Sequence, residues 1–320
     1  MKEHQMKLAI LLELSQGGFH SGEALGELLG ISRAAVSKHI KGIQAWGVDV
    51  FRVQGKGYQL AAPMELLSQQ LLEQQLDVPF ELIPIIDSTN QYLLDKQDSL
   101  ASGAVCISEY QSQGRGRRGR QWVSPFGSNL YLSMFWKLEA GMAAAMGLSL
   151  VVGVAIVEAL ERLGIEGVKL KWPNDLYFQD QKLAGILVEM SGQAGGAANL
   201  VIGMGMNLNM SEQTEGIDQP WTSLSAVANQ PFSRNELVAE FVRAWQAALN
   251  DYEIHGLQGF VERWNRHDNF IDREVRLIMG HREIRGIVRG IDATGAVLLE
   301  TENGIESFIG GEISLRKADN

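Results

Sequence analysis

The sequence predicts an α+β protein of several domains. Its 320 residues suffice for two or three domains of ordinary size, and 45% hydrophobic with 21% charged residues is an ordinary composition for a folded protein. The patterns change along the chain from short capped helices, through mixed helices and alternating strands, to short strands separated by glycine turns. We therefore expect a helical N-terminal domain over residues 1–62, a central mixed α/β domain over 63–268 and a small SH3-like β-barrel over 269–320.

The N-terminal domain carries the signals of a helix-turn-helix. Ser21 and Ser32 precede two short apolar stretches, where a serine side chain can cap the first turn of a helix, and Gly30 between them suits a left-handed turn position. The second stretch has apolar residues at spacings of four and three, at Val36, Ile40 and Ile43. Two capped helices with a glycine turn between them make a helix-turn-helix.

The other face of the second helix is polar and basic. It offers Ser32, Arg33, Ser37, Lys38 and Lys41, and His39 is a further candidate. A hairpin expected over 49–60 turns at 55–57, which puts Lys56 at the tip of a wing. The arrangement resembles a winged-helix DNA-binding domain, in which such side chains meet base edges and phosphates. The alternative is a three-helix accessory module whose basic residues form a solvated face.

Charge is distributed unevenly between these segments. The net charge of the chain is −10, yet residues 1–60 carry seven Lys or Arg against five Asp or Glu and are net positive. A negative chain is a poor candidate for coating nucleic acid along its whole surface. A local basic site in the N-terminal domain is compatible with this distribution.

Residues 114–122 form a basic, glycine-rich segment with the sequence GRGRRGRQW. It contains the letters of the GxGxxG dinucleotide fingerprint, but that fingerprint follows a strand and opens a helix, whereas this one precedes a Trp-Val-Ser-Pro-Phe-Gly stretch and a strand. No GxxxxGK[ST] phosphate loop occurs in the sequence. Four arginines here can hold phosphate or carboxylate groups. A flexible solvated loop or an RNA-binding patch fits the composition equally well.

Four further motifs lie where predicted strands, turns and helices meet: DSTNQ at 87–91, KWPND at 171–175, KLAGILVE at 182–189 and GMGMN at 203–207. Each alone is weak, because a lone strand lysine is usually solvated and a Ser-Thr pair before a helix is usually a cap. Together with GRGRRGRQW, and in this order, they are specific. The chain resembles the biotin protein ligase family. With the winged helix in front and the small β domain behind, it resembles the members that also repress biotin synthesis genes.

That resemblance implies a two-step reaction with ATP and biotin as substrates. The biotin carboxylate attacks the α-phosphate of ATP to give biotinyl-5′-adenylate and pyrophosphate, and a lysine amine of a biotin carboxyl carrier protein then attacks the mixed anhydride. The resemblance also implies Mg²⁺ with ATP, operator DNA as a partner, the adenylate as corepressor and a ligand-promoted homodimer. No His/Cys cluster in the sequence indicates a transition metal.

The resemblance assigns roles to individual residues. The catalytic set is Arg115, Arg117, Arg120, Asp175 and Lys182, in which Lys182 bridges the biotin carboxylate and the α-phosphate as charge develops. The expected biotin contacts are Ser88, Thr89, Asn90, Gln111, Arg115, Gly116, Arg117 and Lys182. The expected ATP or adenylate contacts are Arg117, Arg120, Trp122, Asn174, Lys182 and Asn207. Trp122 as a core residue and Asp175 as a turn cap are the structural alternatives.

Three alternatives to a ligase that is also a repressor stay open. They are a biotin-sensing regulator without ligase activity, a ligase whose N-terminal domain does not act on an operator, and a lipoate ligase. The arginine segment argues against the first, and the polar residues at 88–90 with Gln111 argue against the third. Nothing in the sequence excludes the second, and the segments 191–198 and 211–229 match no motif.

The sequence indicates a cytoplasmic protein without a membrane partner. Its single cysteine, Cys106, cannot form an internal disulfide, and the N-terminus lacks the cleavage site of an export signal. Residues 140–157 hold 18 residues without a charge, which is the length of a short membrane span. Their glycines, alanines and serine make the stretch only mildly apolar, so we expect a buried helix there.

Overall fold

The computed structural model describes residues 2–139, 141, 145, 147–192, 196–210, 214–309 and 313–317. These residues form an N-terminal helical unit with a hairpin, a central seven-stranded sheet with helices, and a C-terminal five-stranded sheet. The α+β multidomain architecture expected from the sequence is confirmed.

Three helices and a hairpin form the N-terminal unit: α1 (Lys2–Ser15), α2 (Gly22–Leu29), α3 (Arg33–Gln44), β1 (Val50–Val53) and β2 (Gly57–Leu60). Ser21 Oγ accepts a hydrogen bond from the Ala24 N–H at 3.0 Å, and Ser32 Oγ accepts one from the Ala35 N–H at 3.1 Å. Gly30 follows α2 with a φ of 67°. The predicted caps, glycine turn and wing are confirmed.

The N-terminal unit packs on the central domain through Trp46, which follows α3. The Trp46 ring stacks on the Phe126 ring with the ring centroids 5.6 Å apart. The Trp46 backbone carbonyl accepts a hydrogen bond from the Phe126 N–H at 2.9 Å. Lys7 Nζ lies over the Trp46 ring, 4.9 Å from the ring centroid. Phe126 lies four residues after Trp122, so the winged helix contacts the chain just beyond GRGRRGRQW.

Hydrogen bonds to Glu65 and one buried ion pair fix the segment that joins these two units. The Glu65 carboxylate accepts hydrogen bonds from the Arg234 N–H at 2.6 Å, from Ser233 Oγ at 2.7 Å and from Asn235 Nδ2 at 2.8 Å. The Arg234 guanidinium is 1% exposed and pairs with Glu109 at 2.7 Å. Removing one partner of such a pair would leave an uncompensated buried charge. The chain just after the predicted linker at 61–63 is therefore anchored.

The central strands, in chain order, are β3 (Phe80–Leu82), β4 (Ile85–Ile86), β5 (Val105–Ser108), β6 (Tyr110–Gln111), β7 (Asn129–Leu138), β8 (Lys169–Lys171), β9 (Asp175–Phe178), β10 (Gln181–Gly192) and β11 (Ala198–Asn207). Seven of them form one sheet in the order β3-β5-β7-β11-β10-β9-β8, with β3 and β5 parallel and the other pairs antiparallel. β4 and β6 form a separate parallel pair. The mixture of helices and strands expected for this region is confirmed.

The helices of this domain are α4 (Gln69–Gln75), α5 (Thr89–Lys96), α6 (Leu148–Arg162), α7 (Leu224–Val227), α8 (Arg234–His255) and α9 (Gln258–His267). The α6 side chains are mostly buried, as expected for this uncharged stretch. The buried helix expected within 140–157 begins at Leu148, after Gly147, which is left-handed with a φ of 88°. Residues 140, 142–144 and 146 lie outside the described residues. Among the described helices, none is long and apolar enough to cross a membrane.

The C-terminal strands are β12 (Glu274–Met279), β13 (Arg282–Ile291), β14 (Val297–Thr301), β15 (Gly304–Phe308) and β16 (Ile313–Lys317). They pair in the order β15-β14-β13-β12-β16, which agrees with the short strands expected over 269–320. Since β15 and β16 stand at the two edges of the described sheet, closure into a barrel stays a prediction. Val275, Leu277 and Val288 belong to the same buried apolar cluster as the central sheet.

Candidate active site

One cavity of the central domain collects residues from all the motifs singled out in the sequence. It lies between the start of α5, the arginine segment and strands β8 to β11. Its lining includes Ser88, Thr89, Asn90, Gln111, Arg115, Gly116, Arg117, Arg120, Trp122, Asn174, Asp175 and Lys182. All the residues expected to contact biotin or to act in catalysis thus meet in one place, although they come from distant parts of the chain.

The start of α5 forms a polar end of the cavity. Ser88 caps the helix, and its Oγ accepts a hydrogen bond from the Gln91 N–H at 3.4 Å. Gln111 Oε1 accepts a hydrogen bond from the Thr89 N–H at 2.9 Å, and Gln111 Nε2 donates to Ser124 Oγ at 3.3 Å. Ser88, Thr89 and Asn90 are each 4% exposed. Their polar groups are therefore held in fixed positions and away from bulk water.

Two residues without a predicted role complete this polar end. Ser133 on β7 is fully buried, with its Oγ 2.7 Å from Thr89 Oγ1 and 2.6 Å from Asn90 Oδ1. Gly203 on β11 lies beneath Asn90, and a Cβ at that position would overlap the Asn90 amide. The first glycine of GMGMN is thus needed because the amide crosses the strand there.

The arginine segment folds back on itself beside the cavity. Arg115 pairs with Gln121 in a short antiparallel bridge, and the Gly116 N–H donates to the Arg120 carbonyl at 2.7 Å. The Arg115 guanidinium donates to Glu189 at 2.7 Å and to Gln91 at 2.9 Å. Glu189 closes KLAGILVE, and its pairing with this loop was not predicted.

Arg117 and Arg120 stand on either side of a tight turn. Arg117 donates to Asn174 Oδ1 at 2.9 Å, which joins the arginine segment to KWPND. Burial lowers the pKa of Arg117, and the positive charge of Arg118 acts in the same direction. Arg120 is exposed at the rim. The segment thus presents one partly buried and one accessible guanidinium to an anion.

Lys182 lies on the floor of the cavity. Its Nζ is 2.9 Å from Asp175 Oδ1 and 5.5 Å from the centroid of the Trp122 ring, and both charged side chains are largely buried. Trp122 in turn lies over Gly205, where a Cβ would overlap the indole. A lysine held by one carboxylate beside an aromatic ring can orient a second anion in a site with little water.

Asn207 lines a second cavity that adjoins the first. The two cavities share Arg120, Trp122 and Lys182, and the second is completed by residues 216–219 and Trp221. Asn207 Nδ2 donates to the Thr222 carbonyl at 3.1 Å. Part of the segment 211–229, which matches no sequence motif, therefore forms a wall beside the site, whereas residues 211–213 lie outside the described residues.

The residues expected to contact DNA lie together on the winged helix. Ser32, Arg33, Lys38, Lys41 and Lys56 are exposed, and Ser37 is half-buried. Lys56 at the tip of the wing lies 5.3 Å from the centroid of the Phe19 ring. The described residues contain no group of three or more His, Cys, Asp or Glu side chains that could hold a metal ion.

Comparison with known proteins identifies the family. The biotin/lipoate A/B protein ligase family model matches residues 82–207, the biotin protein ligase C-terminal domain model matches 270–316, and a helix-turn-helix domain model matches 5–59. The bifunctional ligase/repressor BirA of Escherichia coli (strain K12) is 54% identical over 321 residues, with 100% of both chains covered. The chain belongs to the biotin protein ligase family.

Other biotin protein ligases support this placement. The bifunctional ligase/repressor BirA of Bacillus subtilis (strain 168) is 29% identical and covers 95% of this chain and 97% of its own length. The structure of the biotin protein ligase from Aquifex aeolicus in complex with biotin and ATP aligns at 30% identity with a TM-score of 0.67, over 75% of this chain and 99% of that chain. The prediction of a biotin ligase joined to a repressor's helix-turn-helix is confirmed.

Proposed function

We propose that the cavity binds biotin and ATP, forms biotinyl-5′-adenylate and transfers the biotinyl group to a lysine of a biotin carboxyl carrier protein. The observation that carries this proposal is the meeting, in one cavity, of a polar end at Thr89 and Gln111 with the cationic groups of Arg115, Arg117 and Lys182. The first set suits a neutral ureido ring, and the second suits a carboxylate next to a triphosphate. A dithiolane ring would leave the polar end unpaired.

The cations serve the first step. A biotin carboxylate oxygen attacks the α-phosphorus of ATP, the bond to the bridging oxygen breaks, and pyrophosphate leaves. The two anions repel each other, so fixed positive charge lowers the barrier where negative charge accumulates. Lys182, held by Asp175 at 2.9 Å, is placed to bridge the carboxylate and the α-phosphate. Arg117 and Arg120 hold the phosphates, with Trp122, Asn174 and Asn207 as the further adenylate contacts.

The polar end and the rim of the cavity hold biotin itself. Ser88, Thr89, Asn90 and Gln111 surround the ureido ring, and Arg115, Gly116 and Arg117 hold the valerate side. In the second step, the uncharged amine of the carrier lysine attacks the carbonyl carbon of the adenylate, and AMP leaves. Asp175 is the carboxylate placed to orient that amine.

Mg²⁺ is the metal ion expected with ATP, and the residues of the cavity fit it. It is usually held by one or two carboxylates together with substrate phosphates, and the Asp175 carboxylate is the protein oxygen ligand available here. When bound, Mg²⁺ neutralises charge on the leaving pyrophosphate. Arg117 and Arg120 would share in neutralising that charge.

The ligase activity has a direct test. Incubation with biotin, ATP, Mg²⁺ and a biotin carboxyl carrier domain should add one biotinyl group to the carrier, measured by mass spectrometry. Lys182→Ala should fold normally and release pyrophosphate at least about a hundredfold more slowly, because a donor to developing charge typically contributes two to three orders of magnitude. An unmodified carrier with the wild-type protein would contradict the proposed function, and modification of a carrier only when lipoate replaces biotin would indicate the related ligase.

The winged helix carries the second part of the proposal, repression of biotin synthesis genes. Ser32, Arg33, Ser37, Lys38, Lys41 and Lys56 contact the operator, and the adenylate acts as corepressor. One winged helix makes few phosphate contacts, so specific binding requires a homodimer on a palindromic site. The adenylate promotes that dimer if it binds the dimer more tightly than the monomer. Sedimentation equilibrium with and without adenylate tests this, and an unchanged association constant would contradict it.

The proposed function assigns one role to each part of the chain. Residues 1–62 bind DNA, 63–268 carry the chemistry and 269–320 support the catalytic domain. The carrier protein and the operator in this proposal are both cytoplasmic, so we place the protein in the cytoplasm.

Burial raises the pKa of the Cys106 thiol to about 12, which keeps the chain's single cysteine unreactive.

A further inference from the structure

We propose that Ser133 is a positioning residue that fixes which groups of the biotin site donate and which accept hydrogen bonds. Through Ser133, the Thr89 hydroxyl becomes an acceptor for an N–H group of the ligand. This inference rests on the proposed function, since the ligand class it selects is a cyclic urea. The direction of each hydrogen bond is fixed because each hydroxyl in this buried series of polar side chains has one hydrogen to donate.

The series of hydrogen-bonded side chains starts at Glu189, which fixes the orientation of the Asn90 amide. Asn90 Nδ2 lies 2.8 Å from Glu189 Oε2 and 3.3 Å from the Leu187 carbonyl oxygen. The Glu189 carboxylate, which also pairs with Arg115 at 2.7 Å, and a backbone carbonyl can only accept. The NH₂ group of Asn90 must therefore face both of them, and its Oδ1 must face Ser133.

The Asn90 orientation determines the direction of the Ser133 hydroxyl. Asn90 Oδ1 can only accept, and Ser133 Oγ lies 2.6 Å from it. Ser133 has one hydroxyl hydrogen, and this contact uses it. Ser133 is fully buried, so no water from bulk solvent replaces that bond.

The Ser133 hydroxyl in turn determines the direction of the Thr89 hydroxyl. The two oxygens lie 2.7 Å apart, a distance that requires a hydrogen between them. Because the Ser133 hydrogen is directed at Asn90, the hydrogen must come from Thr89. Gln111 Oε1, 3.1 Å from the same hydroxyl, is the alternative acceptor, but a hydrogen directed there would leave the shorter contact with Ser133 without one.

Thr89 Oγ1, which keeps two lone pairs when its hydrogen is directed at Ser133, is an acceptor in the wall of the cavity. A cyclic urea satisfies it with an N–H group, whereas a dithiolane ring has no donor and leaves it unpaired. Buried polar groups that lose their partner penalise the wrong ligand strongly. Ser133 thus contributes to the choice of ligand without facing it.

The test is calorimetric titration of biotin, without ATP, into the full chain and its variants. Ser133→Ala frees the Thr89 hydrogen to turn to Gln111, so we expect biotin to bind about tenfold or more weakly, as for the loss of a buried hydrogen bond. Under turnover, the KM for biotin should rise and the KM for ATP should stay within about twofold. Ser133→Cys, which keeps a weak donor and acceptor, should recover part of the affinity.

Ser108→Ala is the matched control. Ser108 is also fully buried, on the neighbouring strand β5, and its Oγ donates to the Tyr110 carbonyl at 2.8 Å and lies outside the cavity lining. It should lose stability, measured by thermal unfolding, but not biotin affinity. Equal biotin affinities for wild type, Ser133→Ala and Ser108→Ala would overturn the inference.

A second measurement ties the effect to the ligand N–H groups. Biotin analogues methylated at one or the other ureido nitrogen should bind the wild type more weakly, and for one analogue that penalty should shrink in Ser133→Ala or, if that variant does not fold, in Ser133→Cys. Undiminished penalties for both analogues would also overturn the inference. A wild-type protein that binds no biotin at all would instead refute the proposed function.

Discussion

Replacing Trp172 with phenylalanine removes the hydrogen bond by which the C-terminal sheet holds KWPND. Trp172 is 2% exposed, and its Nε1–H donates to the Gly295 carbonyl at 3.0 Å. The turn that presents this carbonyl is organised by Asp292 Oδ1, which accepts from the Thr294 N–H at 2.8 Å. A C-terminal turn therefore positions the residue that stands directly before Pro173 and Asn174.

The magnitude follows from two contributions. Phenylalanine leaves part of the indole volume empty, and a Gly295 carbonyl that loses its donor adds about 1 to 2 kcal/mol to the loss in unfolding free energy. Trp245→Phe is the matched control, because Trp245 is fully buried and its Nε1 has no hydrogen-bond partner among the described residues. Trp172→Phe should therefore lose about 1 to 2 kcal/mol more than Trp245→Phe in denaturant unfolding.

The effect on activity distinguishes positioning from stability. Asn174 accepts a hydrogen bond from Arg117, so a shift of the turn displaces a cation that acts on the phosphates. Displacements of about 1 Å can cost two orders of magnitude in rate, and we expect at least about a tenfold slower pyrophosphate release. Trp245→Phe should release pyrophosphate at the wild-type rate. Equal rates for Trp172→Phe and wild type would refute the reasoning, whatever the loss in stability.

Three further predictions concern the loop, the adenine side and pH. Cleavage within 114–120 in limited proteolysis should slow when biotin and ATP are added, because four like charges gain an anionic partner; an unchanged rate would contradict this. Gly205→Ala should raise the KM for ATP about tenfold or more by displacing Trp122, with the KM for biotin changing less. Burial raises the pKa of Asp268 to about 6, so this acid stabilises the fold when protonated. Compared with Asp268→Asn, the wild type should therefore lose stability as the pH rises from about 4 to 6, and a flat difference would disprove it.

The sequence predicted the elements whose signals are local. Ser21, Gly30 and Ser32 mark helix ends through contacts within three residues, and each lies where the pattern indicates. The motif residues were found because the motif letters themselves are diagnostic of a family. Both kinds of signal are readable without knowing which strands are neighbours.

The remaining features depend on strand order, which no local pattern encodes. Ser133 meets Asn90 because β7, between β5 and β11 in the sheet, packs against α5. Glu189 meets Arg115 because β10 runs past the arginine segment. On its own, Ser133 reads as an ordinary serine in a strand. The wall at 216–219 and Trp221 is attached to β10 by backbone hydrogen bonds, such as that from the Lys182 N–H to the Pro220 carbonyl at 3.0 Å, which any residue type can make.

The anchored junction between the winged helix and the central domain has a geometric consequence for DNA recognition. The Glu65 contacts and the stacking of Trp46 on Phe126 hold α3 in one orientation relative to the central domain. In the homodimer proposed above, the distance between the two α3 helices would then be set by the surfaces through which the two chains meet. Half-sites of a palindrome lie about one helical turn or a multiple of it apart. The dimer would therefore bind only half-sites at one fixed separation. Inserting half a helical turn of DNA between the half-sites should weaken binding, because the linker could not move α3 to the new position.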